Sequence, residues 1–205
     1  MIAIVDYKAG NLTSVARALD HLGHRCEITD RPERIRAAAR VILPGVGAAG
    51  ATMAHLNALG LATVLREICA AGTPFLGICI GIQVLLERSD EDETECLGVI
   101  AGKAARFPNS IDGRRLKVPQ IGWNRVRQLR RHPLFTDVPD YSHFYFVNSY
   151  YPILADAGLA IAACDYGVGF TAALARNNVF ATQFHLEKSG APGLQLLDNF
   201  CRLEA

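Results

Sequence analysis

Short apolar runs alternate with amphipathic stretches along the first half of the chain. The apolar runs predict buried strands, and the stretches with apolar residues at helical spacing predict helices. The predicted strands cover residues 2–5, 25–29, 41–43 and 74–78, and the predicted helices cover residues 12–22, 32–39, 49–59, 61–71 and 80–87. Because strands that alternate with helices form parallel sheets covered on both faces, the pattern predicts an α/β fold with a doubly wound, mostly parallel sheet.

The pattern changes after residue 87. Short β-like segments separated by turn residues follow, and a helix over residues 193–203 ends the chain. These segments cover residues 98–100, 102–107, 116–118, 124–128, 143–148, 159–164, 170–176 and 179–184. The acidic stretch 89–95 is typical of a solvated surface loop. Since there is no internal repeat and no low-complexity linker, the sequence predicts one domain over residues 1–205.

Composition limits the classes of function. The 205 residues are 50% hydrophobic, enough for a sizeable core, and 21 basic residues balance 20 acidic ones. This balance gives no strong field to attract nucleic acid or anionic lipid, so neither partner is predicted. The chain begins directly with an apolar strand and has no apolar run of about 18 residues, the minimum for a membrane span, so we expect a cytoplasmic protein.

The six cysteines are scattered, without a C-x-x-C pair. A cytoplasmic chain of this length needs no disulfides, and most of these cysteines are expected to be small apolar residues. His21, His24 and Cys26 span a predicted helix end and the next strand, so their side chains should diverge. No metal site is predicted.

One cysteine lies in a setting that favours nucleophilic chemistry. Cys79 stands between Gly77 and Gly81, where a predicted strand meets a predicted helix. This glycine spacing is that of the nucleophile elbow, in which side chains would obstruct the sharp turn. The elbow would place the sulfur at a helix N-terminus, which favours a thiolate, and would leave the N–H of Ile80 free to bind an oxyanion. The alternative is a buried structural cysteine at a strand end.

Two glycine-rich segments resemble nucleotide-binding motifs without meeting their requirements. Gly45, Gly47 and Gly50 match G-x-G-x-x-G, but they follow the third predicted strand, and no acidic residue ends a following strand about 20 residues further on. The segment that begins at Gly98 is one residue short of a P-loop and has Ala104 where the magnesium-binding hydroxyl belongs. Neither segment predicts a nucleotide site.

The first of these segments has another use beside the elbow. Residues 44–47, Pro-Gly-Val-Gly, form a loop at a strand end that we call the glycine loop. Its backbone N–H groups at Val46 and Gly47 are candidates to bind an oxyanion together with that of Ile80, because glycine lets a peptide adopt either orientation with little strain. A tight strand-to-helix turn is a second interpretation, and the two are compatible.

A thiolate nucleophile needs a base, and the base needs an orienting group. His185 follows the last predicted strand, and Glu187 lies two residues further along. If the imidazole lies against Cys79, the carboxylate can reach the other ring nitrogen and fix its tautomer. A His-x-Glu sequence alone is common in polar loops, but together with the elbow and the glycine loop it predicts a Cys–His–Glu triad.

Six sequence blocks spread over essentially the full length carry a family resemblance. They are Asp6-Tyr-x-x-Gly-Asn-Leu12, Pro44-Gly-Val-Gly47, Leu76-Gly-Ile-Cys-Ile-Gly-Ile-Gln83, Gly122-Trp-Asn124, Phe146-Val-Asn-Ser-Tyr-Tyr151 and Gln183-Phe-His-Leu-Glu-Lys-Ser189. On these blocks the chain resembles the class I (triad) glutamine amidotransferases, and among them the glutaminase subunits of imidazole glycerol phosphate synthase. The elbow and His-x-Glu blocks mark the superfamily, and the first, second and fourth blocks point to this group of subunits.

The resemblance implies a class I glutamine amidotransferase-like fold and the hydrolysis of glutamine to glutamate and ammonia by the triad. It places Gly47, Gln83 and Ser149 around the bound glutamine and implies no cofactor. It also implies a heterodimer with a (β/α)₈-barrel cyclase subunit, which uses the ammonia to make imidazole glycerol phosphate and aminoimidazole carboxamide ribotide in histidine biosynthesis. Asn11, Tyr145 and Lys188 occupy positions that face this partner in the family.

Two positions depart from the family pattern, and two other functions stay open. The family usually carries proline where this chain has Leu186 and histidine where it has Asn148; neither change removes a triad group. A glutaminase that serves another synthase, for a modified sugar or an aromatic amine, would share the same motifs. A non-catalytic scaffold of the same fold is a different class, and the complete triad argues against it.

Overall fold

The computed structural model describes residues 1–8 and 11–203, so Gly10 of the first sequence block lies outside the described residues. The strands, in chain order, are β1 Ile2–Val5, β2 Cys26–Thr29, β3 Arg40–Leu43, β4 Phe75–Ile78, β5 Arg88–Ser89, β6 Thr94–Glu95, β7 Gly102–Arg106, β8 Ser110–Ile111, β9 Arg114–Arg115, β10 Gln120–Arg125, β11 Arg127–Gln128, β12 His143–Asn148, β13 Tyr150–Leu154, β14 Ala160–Asp165, β15 Gly169–Arg176 and β16 Val179–Thr182. The helices are α1 Leu12–His21, α2 Pro32–Arg36, α3 Ala49–Ala58, α4 Leu61–Ala71, α5 Ile80–Val84 and α6 Gly190–Arg202, with short 3₁₀ helices at Pro133–Phe135, Ala157–Leu159 and Leu186–Lys188.

The central sheet has eight strands in the order β11-β14-β15-β16-β4-β3-β1-β2. Neighbours from β2 to β16 are parallel, whereas the pairs that β16, β15, β14 and β11 form with one another are antiparallel. The smaller sheets among the described residues are β13-β7-β5-β6, β10-β12 and β8-β9. The predicted α/β class with a mostly parallel central sheet is confirmed.

Strand β1 shows why both faces of the sheet are covered. Its four residues are all buried, and successive side chains point to opposite faces. Ile2 and Ile4 join one apolar cluster with α1 and α6, and Ala3 and Val5 join a second one with α3 and α4. A strand that is apolar at every position therefore fits only between two layers of helices.

The carboxyl ends of the parallel strands bring the predicted site residues to one edge of the sheet. β1 leads to Asp6 and Tyr7, β3 to the glycine loop, β4 to Cys79 and β16 to the segment that holds His185. Register supports this placement, because Thr182 pairs with Ile78 and accepts a hydrogen bond from the backbone N–H of Cys79 at 2.8 Å. Ligands of open α/β sheets bind at this edge.

Helix α5 is shorter than the pattern predicts. The sequence predicts a helix over residues 80–87, but α5 ends at Val84. The helix does not continue, because the carbonyls of Val84, Leu85 and Leu86 accept hydrogen bonds from the backbone N–H groups of residues 97–100. The prediction of a strand over residues 98–100 is wrong for the same reason, since this segment caps the end of α5.

Four other predictions differ from the structure. Residues 116–118 form no strand, although the neighbouring β8 and β9 make a small hairpin. The β-segment predicted at 124–128 is two strands, β10 and β11, and β13 was not predicted at all. Helix α6 begins at Gly190 rather than at residue 193, because Pro192 lies in the first turn, where its missing N–H has no intrahelical partner to lose. Within the described ranges, no helix is long and apolar enough to cross a membrane.

Candidate active site

The turn at Cys79 has the geometry of a nucleophile elbow. Cys79 joins β4 to α5 with φ of 58° and ψ of −106°, a conformation that non-glycine residues rarely adopt. A Cβ atom at Gly77 would lie 2.8 Å from the backbone of Gly81, and one at Gly81 would lie 2.4 Å from the carbonyl oxygen of Leu43. Glycine is therefore required on both sides of the cysteine for the reason that the sequence predicts. Because α5 has only five residues, the dipole available to a thiolate is that of little more than one turn.

The sulfur of Cys79 lies among hydrogen-bonding groups of two other segments. The Nε2 group of Gln183 donates to Sγ at 3.9 Å, and the carbonyl oxygen of Val147 lies 4.0 Å from Sγ. The same amide of Gln183 accepts from Nε2 of Gln83 through its oxygen at 3.1 Å. Gln183 is fully buried and was not singled out in the sequence; only its place in the last sequence block could have indicated it.

His185 and Glu187 form a buried pair. The Nδ1 atom of His185 lies 2.8 Å from Oε1 of Glu187, and each side chain is 2% exposed. The backbone N–H of His185 donates to the carbonyl of Tyr145 at 3.0 Å, which pins the residue to β12. With Nδ1 held by the carboxylate, Nε2 is the nitrogen left free for the sulfur. It has no hydrogen-bond partner among the described residues.

The electrostatics of the pair favour a protonated imidazole. Burial lowers the pKa of His185, but the sulfur of Cys79 and the carboxylate of Glu187 together outweigh burial and raise this pKa to about 10. An imidazole with a raised pKa takes a proton readily from a thiol.

A cavity of about 370 Å³ opens in front of Cys79. It is lined by Val46, Gly47, Cys79, Ile80, Gln83, Glu91, Pro119, Val147, Asn148, Ser149, Tyr150 and Lys188. The sulfur, the candidate oxyanion donors and all three candidate substrate residues thus line the same cavity. His185 and Glu187 are not part of this lining, because both side chains are buried.

Glu91 was missed by the sequence analysis. It lies in the acidic stretch predicted to be a solvated loop, but β5 and β6 fold this stretch back as a hairpin beside the cavity. Its Oε2 atom accepts from the backbone N–H of Ala49 at 2.7 Å, which fixes the carboxylate at the start of α3. Glu91 therefore departs from the predicted solvated loop, because it is half-buried and lines the cavity; the run of acidic neighbours hid it.

The glycine loop lies between the cavity and a buried tyrosine. Val46 and Gly47 are exposed and line the cavity, whereas Gly45 is buried. A Cβ atom at Gly45 would lie 2.0 Å from the hydroxyl oxygen of Tyr7 and 2.3 Å from Cγ2 of Ile80. Gly47 has φ of 107° with no atom within 4 Å of a Cβ built on it, so this residue has room to turn.

The three residues expected to face a partner lie at the surface near the triad. Lys188 places its Nζ 5.9 Å from the ring centroid of Tyr145, and Trp123 packs edge-on against the same ring with centroids 6.1 Å apart. Asn11 stands at the start of α1, where its Oδ1 accepts from the hydroxyl of Ser14 at 2.8 Å. Helix α1 packs beside the 3₁₀ helix that carries Lys188.

A second cavity, of about 380 Å³, lies away from the triad between the end of α4 and the β15–β16 turn. Its two charged residues already donate to carbonyls, Arg66 to Leu97 at 2.8 Å and Arg176 to Val99 at 2.7 Å. It contains no nucleophile with an adjacent base. The cavity at Cys79 is therefore the stronger candidate active site of the two.

Comparison with known proteins agrees with this geometry. The model of the family described as "Glutamine amidotransferase class-I" matches residues 3–203. The chain belongs to the class I glutamine amidotransferases. Among curated amidotransferases, "Imidazole glycerol phosphate synthase subunit HisH" of Chloroflexus aurantiacus is 50% identical over 206 residues, covering 98% of this chain and 95% of that protein. The proteins of the same name from Aromatoleum aromaticum and Nitratidesulfovibrio vulgaris are 49% and 50% identical, covering 97% and 98% of this chain and 96% of each relative.

Solved structures show the same amidotransferase fold. One described as a glutamine amidotransferase superposes with a TM-score of 0.73 at 17% identity and covers 98% of both chains. The structure of PurLQS from Thermotoga maritima gives a TM-score of 0.73 at 16% identity, covering 98% of this chain and 96% of that chain. At these identities the likeness concerns the fold alone.

The two departures from the amidotransferase pattern have local structural consequences. Leu186 is fully buried in the apolar cluster and begins a 3₁₀ helix, so leucine adds packing where a proline would add stiffness. Asn148 lines the cavity and donates from Nδ2 to the carbonyl of Tyr150 at 3.0 Å, while its buried Oδ1 has no partner among the described residues. That oxygen is available to a donor that enters the cavity.

Proposed function

We propose that this chain is the glutaminase subunit of an imidazole glycerol phosphate synthase. It hydrolyses glutamine to glutamate and ammonia, and it passes the ammonia to a cyclase subunit in histidine biosynthesis. One observation carries this proposal: Cys79 and a buried His–Glu pair lie at a cavity of about 370 Å³, in a chain 50% identical over 98% of its length to curated subunits of that synthase.

The first chemical step forms a thioester on Cys79. His185 takes the thiol proton at Nε2 while Sγ attacks the side-chain amide carbon of glutamine. The tetrahedral intermediate then collapses: the carbon–nitrogen bond breaks, and His185 returns its proton to the departing nitrogen, which leaves as ammonia. Glu187 holds Nδ1 throughout and stabilises the imidazolium, as the orienting member of a triad does.

The second step releases glutamate. Water attacks the γ-glutamyl thioester carbon, His185 takes the proton of the water, and the sulfur leaves with its electron pair and is reprotonated. In both steps a negative charge develops on the former amide oxygen. The backbone N–H of Ile80 and one from Val46 or Gly47 are the donors we assign to it, because all three residues line the cavity in front of Sγ.

Charge at the cavity wall suits a free amino acid. Glutamine presents an ammonium group at its other end, and Glu91 is the carboxylate on the wall. Its position is fixed by the hydrogen bond from Ala49. The carboxylate is therefore already ordered, and binding an ammonium group costs little further side-chain entropy. Gly47, Gln83 and Ser149 complete the proposed glutamine site.

Replacing Glu91 with glutamine should weaken glutamine binding more than it slows turnover. The substitution keeps the shape and the Ala49 contact but removes the charge that meets the ammonium group, and a hydrogen-bonded ion pair contributes about 1.5–3 kcal/mol. We therefore expect KM for glutamine to rise by roughly 10- to 100-fold, with kcat nearly unchanged. Steady-state kinetics of the complex test this, with Glu95→Gln on the exposed side of the same hairpin as the control. An unchanged KM would remove Glu91 from the substrate site.

The ammonia requires a partner at close range. Ammonia in neutral water is mostly ammonium and not nucleophilic, so release into solvent would waste the product. Beside the triad, β10 carries two apolar side chains on one face, Ile121 and Trp123, each 56% exposed. Together with Tyr145 and Lys188 they form a surface that suits a protein partner. We propose that the (β/α)₈-barrel cyclase docks on this surface and near Asn11. The family resemblance of this chain implies the same position for the partner.

The decisive experiment is reconstitution with the cyclase subunit of the same genome. The mixed subunits should form a heterodimer that makes imidazole glycerol phosphate and aminoimidazole carboxamide ribotide from glutamine, and deletion of the gene should abolish growth without histidine. A heterodimer with another synthase and continued growth would favour the modified-sugar or aromatic-amine alternative. Failure of a glutamine-analogue electrophile to label Cys79 would favour the scaffold alternative. We place the reaction in the cytoplasm, because its thiol nucleophile requires reducing conditions.

A further inference from the structure

Tyr7 is a buried tyrosine whose hydroxyl has no hydrogen bond. Its side chain is fully buried at the end of β1, and its hydroxyl oxygen has no partner among the described residues. Buried polar groups in native proteins are almost always paired, so a hydroxyl left alone next to an active site requires an explanation. Neither the triad nor the proposed glutamine site uses it.

The hydroxyl contacts the glycine loop at Gly45, a buried residue that does not line the cavity. The Cβ position at Gly45 lies 2.0 Å from the hydroxyl oxygen, so only glycine permits this approach. Val46 lies on the cavity side of the same loop, and Tyr7 is not part of the cavity lining. The Gly45–Val46 peptide therefore lies between the reacting atoms and the tyrosine.

The N–H and C=O of a trans peptide point in opposite directions. If the N–H of Val46 turns toward the cavity to bind the oxyanion, the carbonyl of Gly45 must turn to the opposite side, where the hydroxyl of Tyr7 lies. An N–H that faces the tyrosine instead offers the hydroxyl a donor and no acceptor. The backbone of Val46 lies near the hydroxyl, which has no formed hydrogen bond among the described residues. The first orientation therefore brings the carbonyl of Gly45 to the tyrosine as an acceptor for its hydroxyl proton.

We propose that Tyr7 is a positioning residue for the oxyanion hole: its hydroxyl donates to the carbonyl of Gly45 when the Gly45–Val46 peptide presents its N–H to the cavity, and this favours the active orientation. The proposal rests on the proposed function and adds to it the group that selects between the two orientations of the loop. Gly47, with no neighbouring atom to obstruct it, provides the place where the chain can turn.

The charge state of Tyr7 suits this role. Burial raises the pKa of Tyr7 to about 12; the Thr52 hydroxyl and the Val46 backbone lower it by less, and the charge of Cys79 raises it further. Thr52 and Val46 are neighbours of the hydroxyl without formed hydrogen bonds to it. The tyrosine therefore keeps its proton at any pH at which the enzyme works, and it remains a donor.

Tyr7→Phe tests the proposal because it removes one oxygen atom and keeps the ring. In the complex with the cyclase subunit, we expect kcat for glutamine hydrolysis to fall by roughly fivefold, the factor that one ordinary hydrogen bond gives to an equilibrium. KM for glutamine and synthesis from added ammonia should be unchanged. The free energy of unfolding should be unchanged or higher, because the lost hydroxyl is buried without a partner. Loss of rate without loss of stability distinguishes positioning from a structural role.

Tyr166→Phe is the matched control. Its hydroxyl donates to the carbonyl of Lys117 at 2.8 Å, and neither residue lines the cavity in front of Cys79, so its removal should lower stability and leave kcat unchanged. If the wild-type complex is active and Tyr7→Phe is equally active or faster, the role of Tyr7 is overturned and the proposed function stands. The same holds for a fall in kcat that accompanies a fall in stability of the same size. A wild-type complex that hydrolyses no glutamine would overturn the proposed function and, with it, this role.

Discussion

Replacing Cys79 with alanine should abolish glutamine-dependent synthesis by the assembled complex and leave synthesis from added ammonia nearly intact. In the proposed mechanism, the sulfur is the one protein atom that forms a bond to the substrate, and loss of a triad nucleophile costs on the order of 10⁶ in kcat. Ammonia supplied from solution enters the cyclase reaction after the step that Cys79 performs. Both rates are measured on the same preparation of complex, so the ratio between them is independent of protein concentration.

The matched control is Cys201→Ala on α6. Cys201 is buried like Cys79 but lies in the apolar cluster beneath α6, away from the cavity. This variant should keep both activities, with a modest loss of stability from the lost packing. If Cys79→Ala lost the ammonia-dependent rate as well, with the heterodimer intact, the division of labour between the subunits would be wrong.

Glu187→Gln should slow glutamine hydrolysis less than His185→Ala. The first variant keeps a hydrogen-bonding group beside Nδ1 but removes the charge, and loss of an orienting carboxylate costs on the order of 10⁴ in kcat. The second deletes the base itself and should approach the loss of about 10⁶ seen for a triad base. Initial rates of glutamate formation in the complex separate the two.

The pH profile gives an independent check on the role of Glu187. The carboxylate is one of the groups that raise the pKa of His185 to about 10, so its removal must lower that pKa. The limb of the profile on which the imidazolium loses its proton should therefore move to lower pH in Glu187→Gln. An equal loss of rate in both variants, or an unmoved limb, contradicts the assigned roles.

Local chemistry made part of the fold predictable. Strands β1 and β4 are apolar at nearly every position, and a short apolar run bounded by turn residues has few alternatives to a buried strand. Helix α4 matches its predicted range of 61–71, because its apolar face is continuous and glycine stands at each end. Pairing in the second half depends on contacts between distant segments, which local periodicity does not encode. Strand β13, with its pairing to β7, was missed for that reason.

The residues of the candidate site also divide into those that local sequence identifies and those that only the folded chain brings together. The elbow, the glycine loop and the His–Glu pair are compact motifs whose residue types and spacing are set by steric and chemical needs. Glu91 and Gln183 reach the candidate site through position alone: a hairpin brings one carboxylate to the cavity, and a strand end brings one amide to the sulfur. Their residue types are ordinary in their local segments, so nothing within a short window distinguishes them.

At Cys79, the residue that gives the most stable backbone differs from the residue that glutamine hydrolysis requires. Cys79 holds a left-handed φ of 58°, which costs a side-chain-bearing residue about 1–3 kcal/mol. Glycine would relieve this strain and, at the same time, delete the nucleophile. A lineage released from the need for glutamine cleavage thus has a single-codon route to a firmer but inert fold, whereas a lineage that needs the reaction must keep the strain in every generation.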